Sequence, residues 1–474
     1  MLTRDRGWRL FEVALLTLSA GLIAWQLFAP PSLGVADNND FPKLIGRYCL
    51  APAGEHPLFE YVNFSYVRDP GACWNSGLLT SAVVPLGVAR MAAGLVLPPG
   101  RFDTRFLGAA YGLLFLGAFQ GVLLLARGFR LMSRILLPVA VLAIFGGAAY
   151  VPWFNSFYFD TASLVFLLLS AVAVCRLVLS ESVALGEYLL ATGCVTLLAA
   201  SKSQHAPLAL LMIPCLWLSF GRPRFPARPV RGAAAGVILA AAALTWTTAP
   251  RWYQTIAVYN ALFYQSLPQS SDPAGDLAQL GIDRHMLQYV GQHAFSENSP
   301  MQRQDGIDAF GRQMSVGKLA VYFVSHPRVT LRVLGTALKE ASLQRVRMEI
   351  GSREYRLGNY ERSSGHSPEA QSDFLDGWAA GKALAFGNRP WLYAAYGGGL
   401  LALAWGCAVR STSRMRARAV LLVGTLTALV GLAGLIVLFD GVDMGRHMLI
   451  FNTLLDMTVC ATVAAVPQSW AGPD

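Results

Sequence analysis

The chain has 474 residues, of which 54% are hydrophobic and only 14% charged, against the roughly 25% charged of an ordinary soluble domain. Its apolar residues fall in runs of about 20, the length an α-helix needs to cross ~30 Å of hydrocarbon, and the mean hydropathy is +0.44. The net charge of +10 is carried mostly by arginines in the turns between those runs. It therefore orients a membrane protein and argues against a nucleic-acid partner.

The runs predict ten spans, at about 9–28, 103–126, 134–151, 160–180, 187–201, 204–220, 232–249, 391–409, 418–439 and 447–466. The fold class expected is an all-α polytopic membrane protein with a mostly helical outer loop domain. Residues 1–249 form an N-terminal transmembrane module with a first outer loop at about 30–101. Residues 250–390 form the outer domain, and 391–474 a C-terminal transmembrane module. Arg4, Arg6 and Arg9 precede the first span, and no small-x-small cleavage site follows it, so it reads as a retained helix. The turns Arg127–Arg130, Arg222–Arg231 and Arg410–Arg418 share a side with both termini, which the positive-inside rule makes cytoplasmic. All seven histidines and every lysine then lie on the opposite face.

Along the chain, the first polar feature is Asp37-Asn38-Asn39-Asp40, about eight residues beyond the first span. A carboxylate beside hydrocarbon is partly desolvated, which raises its pKa and suits a general base; a capping Asx turn is the other reading. Cys49 and Cys73 share the same loop, where an oxidising compartment would permit a disulfide. Leu78–Leu97 is apolar but carries Arg90 and ends in Pro98-Pro99-Gly100, so it is expected to lie in the outer interface rather than cross. Asn155-Ser156 and Asp160 occupy a short outer turn and either cap the next helix or line a cavity.

Ser201-Lys202-Ser203-Gln204-His205 breaks the fifth and sixth spans, and a polar break at membrane depth is tolerated where protein or a wet cavity surrounds it. Trp252–Leu267 reads as a helix leaving the membrane, Lys318–Arg345 as a helix bent at His326-Pro327, and Gly351–Pro368 as loop. Arg345, Arg347, Arg353, Arg356 and Arg362 crowd this domain beside Tyr355 and Tyr360, as a sugar or phosphate site or as a solvated basic face. Finally, Asp440 to His447 opens the last span, where Arg446 and His447 are costly unless something anionic meets them. Snorkelling, with Arg446 paired to Asp440 or Asp443, is the alternative. No P-loop, HExxH, GxSxG or CxxC pair is present, which disfavours a nucleotide-driven pump or a metalloprotease.

Several of these features resemble the GT-C superfamily of polytopic glycosyltransferases. They are the acidic first outer loop, the interfacial helix, Arg101-Phe102-Asp103-Thr104-Arg105, the Asn155-Ser156 turn and the Lys202 break. Tyr259–Tyr264, Leu280–Asp283, Leu357–Glu361 and Asp443–His447 are similar, more narrowly, to bacterial hexosyltransferases of surface-layer and cell-surface glycans. The large outer domain departs from oligosaccharyl- and many arabinosyltransferases by lying between the seventh and eighth spans.

The resemblance implies an inverting transfer of a sugar from a polyprenyl-phosphate donor to a periplasmic glycan acceptor, at the outer face of a bacterial inner membrane. It implies Asp40 as the base, with Asp37 as alternate. Lys202 and Arg446, with His205, His447, Arg345 and Asn155, would contact the lipid phosphate or the sugar. No cofactor and no metal ligand set is assigned, although a divalent cation could take part. A lipid-linked glycan flippase and an O-antigen-ligase-like enzyme are the alternatives.

Overall fold

The computed structural model describes residues 2–219, 222–344, 347–350 and 353–469. The long helices are α1 (Leu2–Phe28), α2 (Val83–Val96), α3 (Thr104–Ala126), α4 (Leu131–Phe145), α5 (Phe159–Leu179), α6 (Leu185–Ala199) and α7 (Ala227–Thr247). After the outer domain follow α8 (Gly377–Phe386), α9 (Pro390–Arg410), α10 (Ser413–Ile436) and α11 (Leu449–Ser469). Among the described residues, seven helices are long and apolar enough to cross a membrane, and the chain is a helical, multi-pass membrane protein. Three of the ten expected spans are shorter. Two are α4 and α6, of 15 residues each, and the third is Ala206–Trp217, split into two short helices.

The bundle has two chemically different ends. At one, Glu12 of α1 accepts hydrogen bonds from Arg127 and Arg134, and Arg134 lies 4.1 Å over the Trp8 ring. At the same end Ser133 donates to the Ala464 carbonyl at 2.7 Å, and Arg418 donates to the Leu179 carbonyl at 2.8 Å. These bonds hold the N-terminal helix, the arginine-rich turns and the last helix together. The acids, lysines and histidines of interest gather at the other end.

That second end is not wholly helical. Three short antiparallel strands, β1 (Leu50–Pro52), β2 (Ser65–Arg68) and β3 (Arg101–Asp103), form a sheet in the order β1-β2-β3, with Leu50 opposite Arg68 and Ser65 opposite Asp103. A disulfide joins Cys49 to Cys73 beside it. The fold is otherwise helical, as expected, with these short strands added; the loop expected over 351–368 is corrected, since Arg353–Arg356 is a strand paired antiparallel with Arg347–Ile350.

Helix α2 places Val84, Val88, Met91 and Leu95 on one exposed apolar stripe, while Arg90 lies 4.5 Å over the Tyr48 ring. In the outer segment, helix Val316–Ser325 stops at His326, and Pro327, which has no N–H to donate, starts the next helix, Pro327–Leu343. The helix expected over Trp252–Leu267 is α-helical from Arg251 to Tyr259 and then widens into a π-helix, Asn260–Ser266.

One buried contact ties the outer segment to the bundle. Asp456, fully buried in α11, accepts from Lys382 of α8 at 2.8 and 2.9 Å through its two oxygens. It also accepts from the Trp378 indole at 2.9 Å and the Tyr150 hydroxyl at 2.6 Å. Four hydrogen bonds satisfy one carboxylate, so either charge alone would be left desolvated. Lys382→Met is expected to cost about 3–5 kcal/mol, read as a lowered thermal unfolding temperature of the detergent-solubilised protein. Lys382→Met with Asp456→Leu is expected to recover most of that loss; a double variant no better than the single one would contradict a purely ionic penalty.

Candidate active site

The first outer loop is shaped by Asp37. Its Oδ1 accepts the backbone N–H groups of Asp40 at 2.9 Å and Phe41 at 3.1 Å, and its Oδ2 meets His56 Nε2 at 3.0 Å. The turn passes through Asn39 in the left-handed region (φ 77) and delivers Asp40 at the mouth of a cleft. The short helix Pro42–Ile45 follows and places Lys43 three residues on, ion-paired to Asp40.

The Lys202 break forms the second wall. Thr80 and Ser81 of the first loop cap the end of α6, donating to the carbonyls of Ser201, Ala200 and Leu197 at 2.7 Å each. The freed backbone groups are thus satisfied inside protein, as membrane depth requires. Lys202 then reaches Asp160, in the first turn of α5, at 2.9 Å.

The third wall is the loop 440–447. It approaches the π-helix so closely that a Cβ on Gly441 would lie 2.3 Å from the Asn260 carbonyl oxygen. Asp443 takes a left-handed conformation (φ 61), and the turn after it aims Arg446 inward. The Arg446 guanidinium meets Asp443 at 2.7 Å, Asp40 at 2.8 Å and Asp160 at 3.2 Å, and lies 5.0 Å over the Tyr158 ring. His447 sits behind, between Asp440 (2.9 Å from Nε2) and Lys202 (3.5 Å from Nδ1).

A narrow cleft, open at its mouth, is lined by Asp40, Lys43, Phe157 to Asp160, Lys202, Tyr253 and Arg446. Within it the carboxylates are unequal. The Asp160 side chain is 1% exposed and the Asp443 side chain 3%, but Asp40 is 22% exposed. Asp40 is therefore the acid that faces an incoming molecule. Burial alone would push its carboxyl up, as expected from the sequence, but Lys43 and Arg446 outweigh burial and hold it well below the usual carboxylate range. That expectation is corrected: as found, Asp40 is a paired anion and a poor base. Burial dominates at Asp443, whose carboxyl is pushed up despite Arg446 and His447. Asp440, half-buried, is held down by His447 and Gln204 against the pull of its burial.

Of the residues singled out in the sequence, Asp40, Lys202 and Arg446 meet at the cleft, and His447 supports them from behind. Asp37 shapes the loop rather than lining the cleft. His205 is turned away, its Nδ1 2.7 Å from the Ser163 hydroxyl. Asn155 is also elsewhere: its amide donates to the carbonyls of Leu27 and Leu33 at 3.1 and 2.8 Å, clamping the end of α1. Arg345 lies outside the described residues. Lys43 and Tyr253 were not foreseen. The three-residue spacing of Lys43 from Asp40 was a visible signal; Tyr253 carried none. Among the described residues, no group of three or more His, Cys, Asp or Glu side chains could hold a metal ion.

Residues 5–471 match the family described as YfdI N-terminal transmembrane domain, and the chain belongs to that family. No curated protein and no solved structure matches the chain significantly.

The Asp40 ion pair makes a pH prediction. A depressed folded-state pKa contributes stability that is complete above the unfolded value of about 3.9 and is lost as pH falls through the folded value. The difference in unfolding temperature between the wild type and Asp40→Asn is expected to stay constant from pH 7 to 5. A difference that changes over that window would mean that Asp40 titrates high.

Proposed function

We propose that this member of the YfdI N-terminal transmembrane domain family is an inverting glycosyltransferase of GT-C type, moving a sugar from a polyprenyl-phosphate donor to a glycan acceptor. The observation that carries the reading is convergence. Asp40 and Lys43, Asp160, Lys202 and Arg446 come from four distant segments and gather at one cleft at a single end of a membrane bundle.

The chemistry follows from the charges. A phosphodiester entering the cleft competes with Asp40 for Lys43 and Arg446. As those cations turn to the phosphate, the Asp40 carboxyl rises toward its ordinary range and gains basicity. The acceptor hydroxyl oxygen then attacks the anomeric carbon, Asp40 takes its proton, and the bond from that carbon to the phosphate oxygen breaks. Polyprenyl phosphate leaves from the opposite face of the sugar, so configuration inverts. Lys43 and Arg446, backed by Lys202, meet the charge that develops on the leaving oxygen. Asp160 and Asp443 keep Lys202 and Arg446 in place throughout.

The orientation proposed is ten crossings of a bacterial inner membrane, with both termini cytoplasmic and the cleft periplasmic. Two features support it: the arginine-rich turns gather at the end away from the cleft, and the Cys49–Cys73 disulfide, which suits an oxidising compartment, lies at the cleft end.

The test is transfer by the purified, reconstituted protein from a panel of polyprenyl-phosphate hexoses. Asp40→Asn is expected to cut turnover by about 10²–10⁴-fold, the usual contribution of a positioned base, in protein that still expresses and folds. Full activity in Asp40→Asn would remove the base assignment; wild-type protein inactive with every lipid-phosphate sugar would remove the reading.

A further inference from the structure

The segment between α7 and α9 carries two consecutive helices whose outward side is apolar. Helix Val316–Ser325 buries Leu319, Tyr322 and Phe323 and exposes Val321 and Val324. Helix Pro327–Leu343 buries Val329, Val333, Ala337 and Ala341 and exposes Leu331. Val321 is 68% exposed and Val324 84%, as much as Leu113 of the spanning helix α3 at 70%. Apolar side chains so open, one after another on a helical stripe, mark a surface that meets something other than water.

Three contacts fix the depth of the pair. Phe323 packs edge-on against Phe439, just beyond the cleft-side end of α10, with ring centroids 6.2 Å apart. Gly335 follows Leu331 on the same stripe, and a Cβ there would lie 3.5 Å from the ring of Trp391 in the first turn of α9. Asn452, in the first turn of α11, donates to the Ala341 carbonyl at 2.9 Å. The two helices thus lie across the ends of three helices that are long and apolar enough to cross a membrane. At that level an apolar outward side faces the lipid interface. Trp391, itself half exposed, has the place of an interfacial anchor beside it.

The charges on the pair have one sign. Residues 316–343 hold Lys318, Arg328, Arg332 and Lys339 against the single acid Glu340. Lys318 and Arg332 donate to the backbone carbonyls of Gln313 and Gln269 at 2.7 and 2.6 Å. Arg328 and Lys339 are exposed and have no acidic partner among the described residues. Both fall at helical spacing on the stripe of Leu331 and Gly335. Long basic side chains so placed lay their stems along hydrocarbon and carry their charge to lipid phosphates. We propose that helices Val316–Ser325 and Pro327–Leu343 are seated in the leaflet on the cleft side. Val321, Val324 and Leu331 lie among acyl chains, and Arg328 and Lys339 meet anionic phospholipid headgroups. The buried side of Pro327–Leu343 packs against Met444–His447, so this seating holds Arg446 at headgroup depth.

The test is nitroxide accessibility by electron paramagnetic resonance, on the full chain in vesicles of equal parts phosphatidylcholine and phosphatidylglycerol. The free cysteines are changed to alanine, the Cys49–Cys73 disulfide is kept, and one label is placed by Val324→Cys, Leu331→Cys or, as an aqueous reference, Asp308→Cys. Labels at 324 and 331 are expected to meet oxygen more than a water-soluble nickel chelate, and the label at 308 the reverse. In the otherwise native chain, Arg328→Gln with Lys339→Gln is expected to lower the preference for spin-labelled phosphatidylglycerol over phosphatidylcholine by about twofold or more. Labels at 324 and 331 reached better by the chelate would place the helices in water. Labels shielded from both reagents would put a protein partner or a second copy on the stripe. Either result, or an unchanged lipid preference in the double variant, would overturn the proposal. None of these readouts needs a sugar donor, so their failure is separate from failure of the glycosyltransferase reading.

Discussion

The Arg446 guanidinium, shared among Asp40, Asp160 and Asp443, is the contact on which the polar end of this molecule depends. A cation this deep is expensive to desolvate, and it is tolerated because three carboxylates from three segments close around it. Each carboxylate brings its own element: the first outer loop, the start of α5 and the loop before the last span. Lys202 adds a fourth by sharing Asp160. The cluster therefore acts as a structural knot and also sets the charge of the cleft. The π-helix at Asn260–Ser266 and the close approach of Gly441 matter because they hold the Arg446 loop at the right depth.

The same knot decides how the proposed chemistry can work. A carboxylate made basic only by desolvation would be ready before any substrate arrived. Here Asp40 is instead quenched by Lys43 and Arg446, and it is the most exposed member of the cluster. An anion that takes over the two cations would release the carboxylate, so basicity would appear only with a donor in place. Asp160 and Asp443, being almost fully buried, are fixed partners that hold Lys202 and Arg446 in place in either state.

Much of this was legible from residue order, for reasons that can be named. Apolar runs near 20 residues have one stable outcome in a bilayer, so the long helices follow from hydropathy alone. Ionisable residues at the ends of such runs are costly, which singles out Lys202 and Arg446, and the acidic pair just beyond the first span singles out Asp40. What escaped depends on pairing across the fold. Asn155 looked like a cavity residue because a short polar turn is equally a clamp, and only the carbonyls of Leu27 and Leu33 show which it is. Asp456 sits in an apolar run with no local partner, and Lys382, 74 residues away, supplies it. The β1-β2-β3 sheet joins strands too short to carry a pattern, and the direction of the Asp40 shift required knowing that Lys43 and Arg446 face it.

The most direct measurement of the central claim is a structure of the protein in a lipid nanodisc with a non-hydrolysable polyprenyl-phosphate hexose analogue. The account predicts the phosphate within hydrogen-bond distance of Lys43 Nζ and the Arg446 guanidinium, with the Asp40 carboxylate freed from both and facing the anomeric carbon. A phosphate bound elsewhere, with the Asp40–Arg446 ion pair intact, would contradict it.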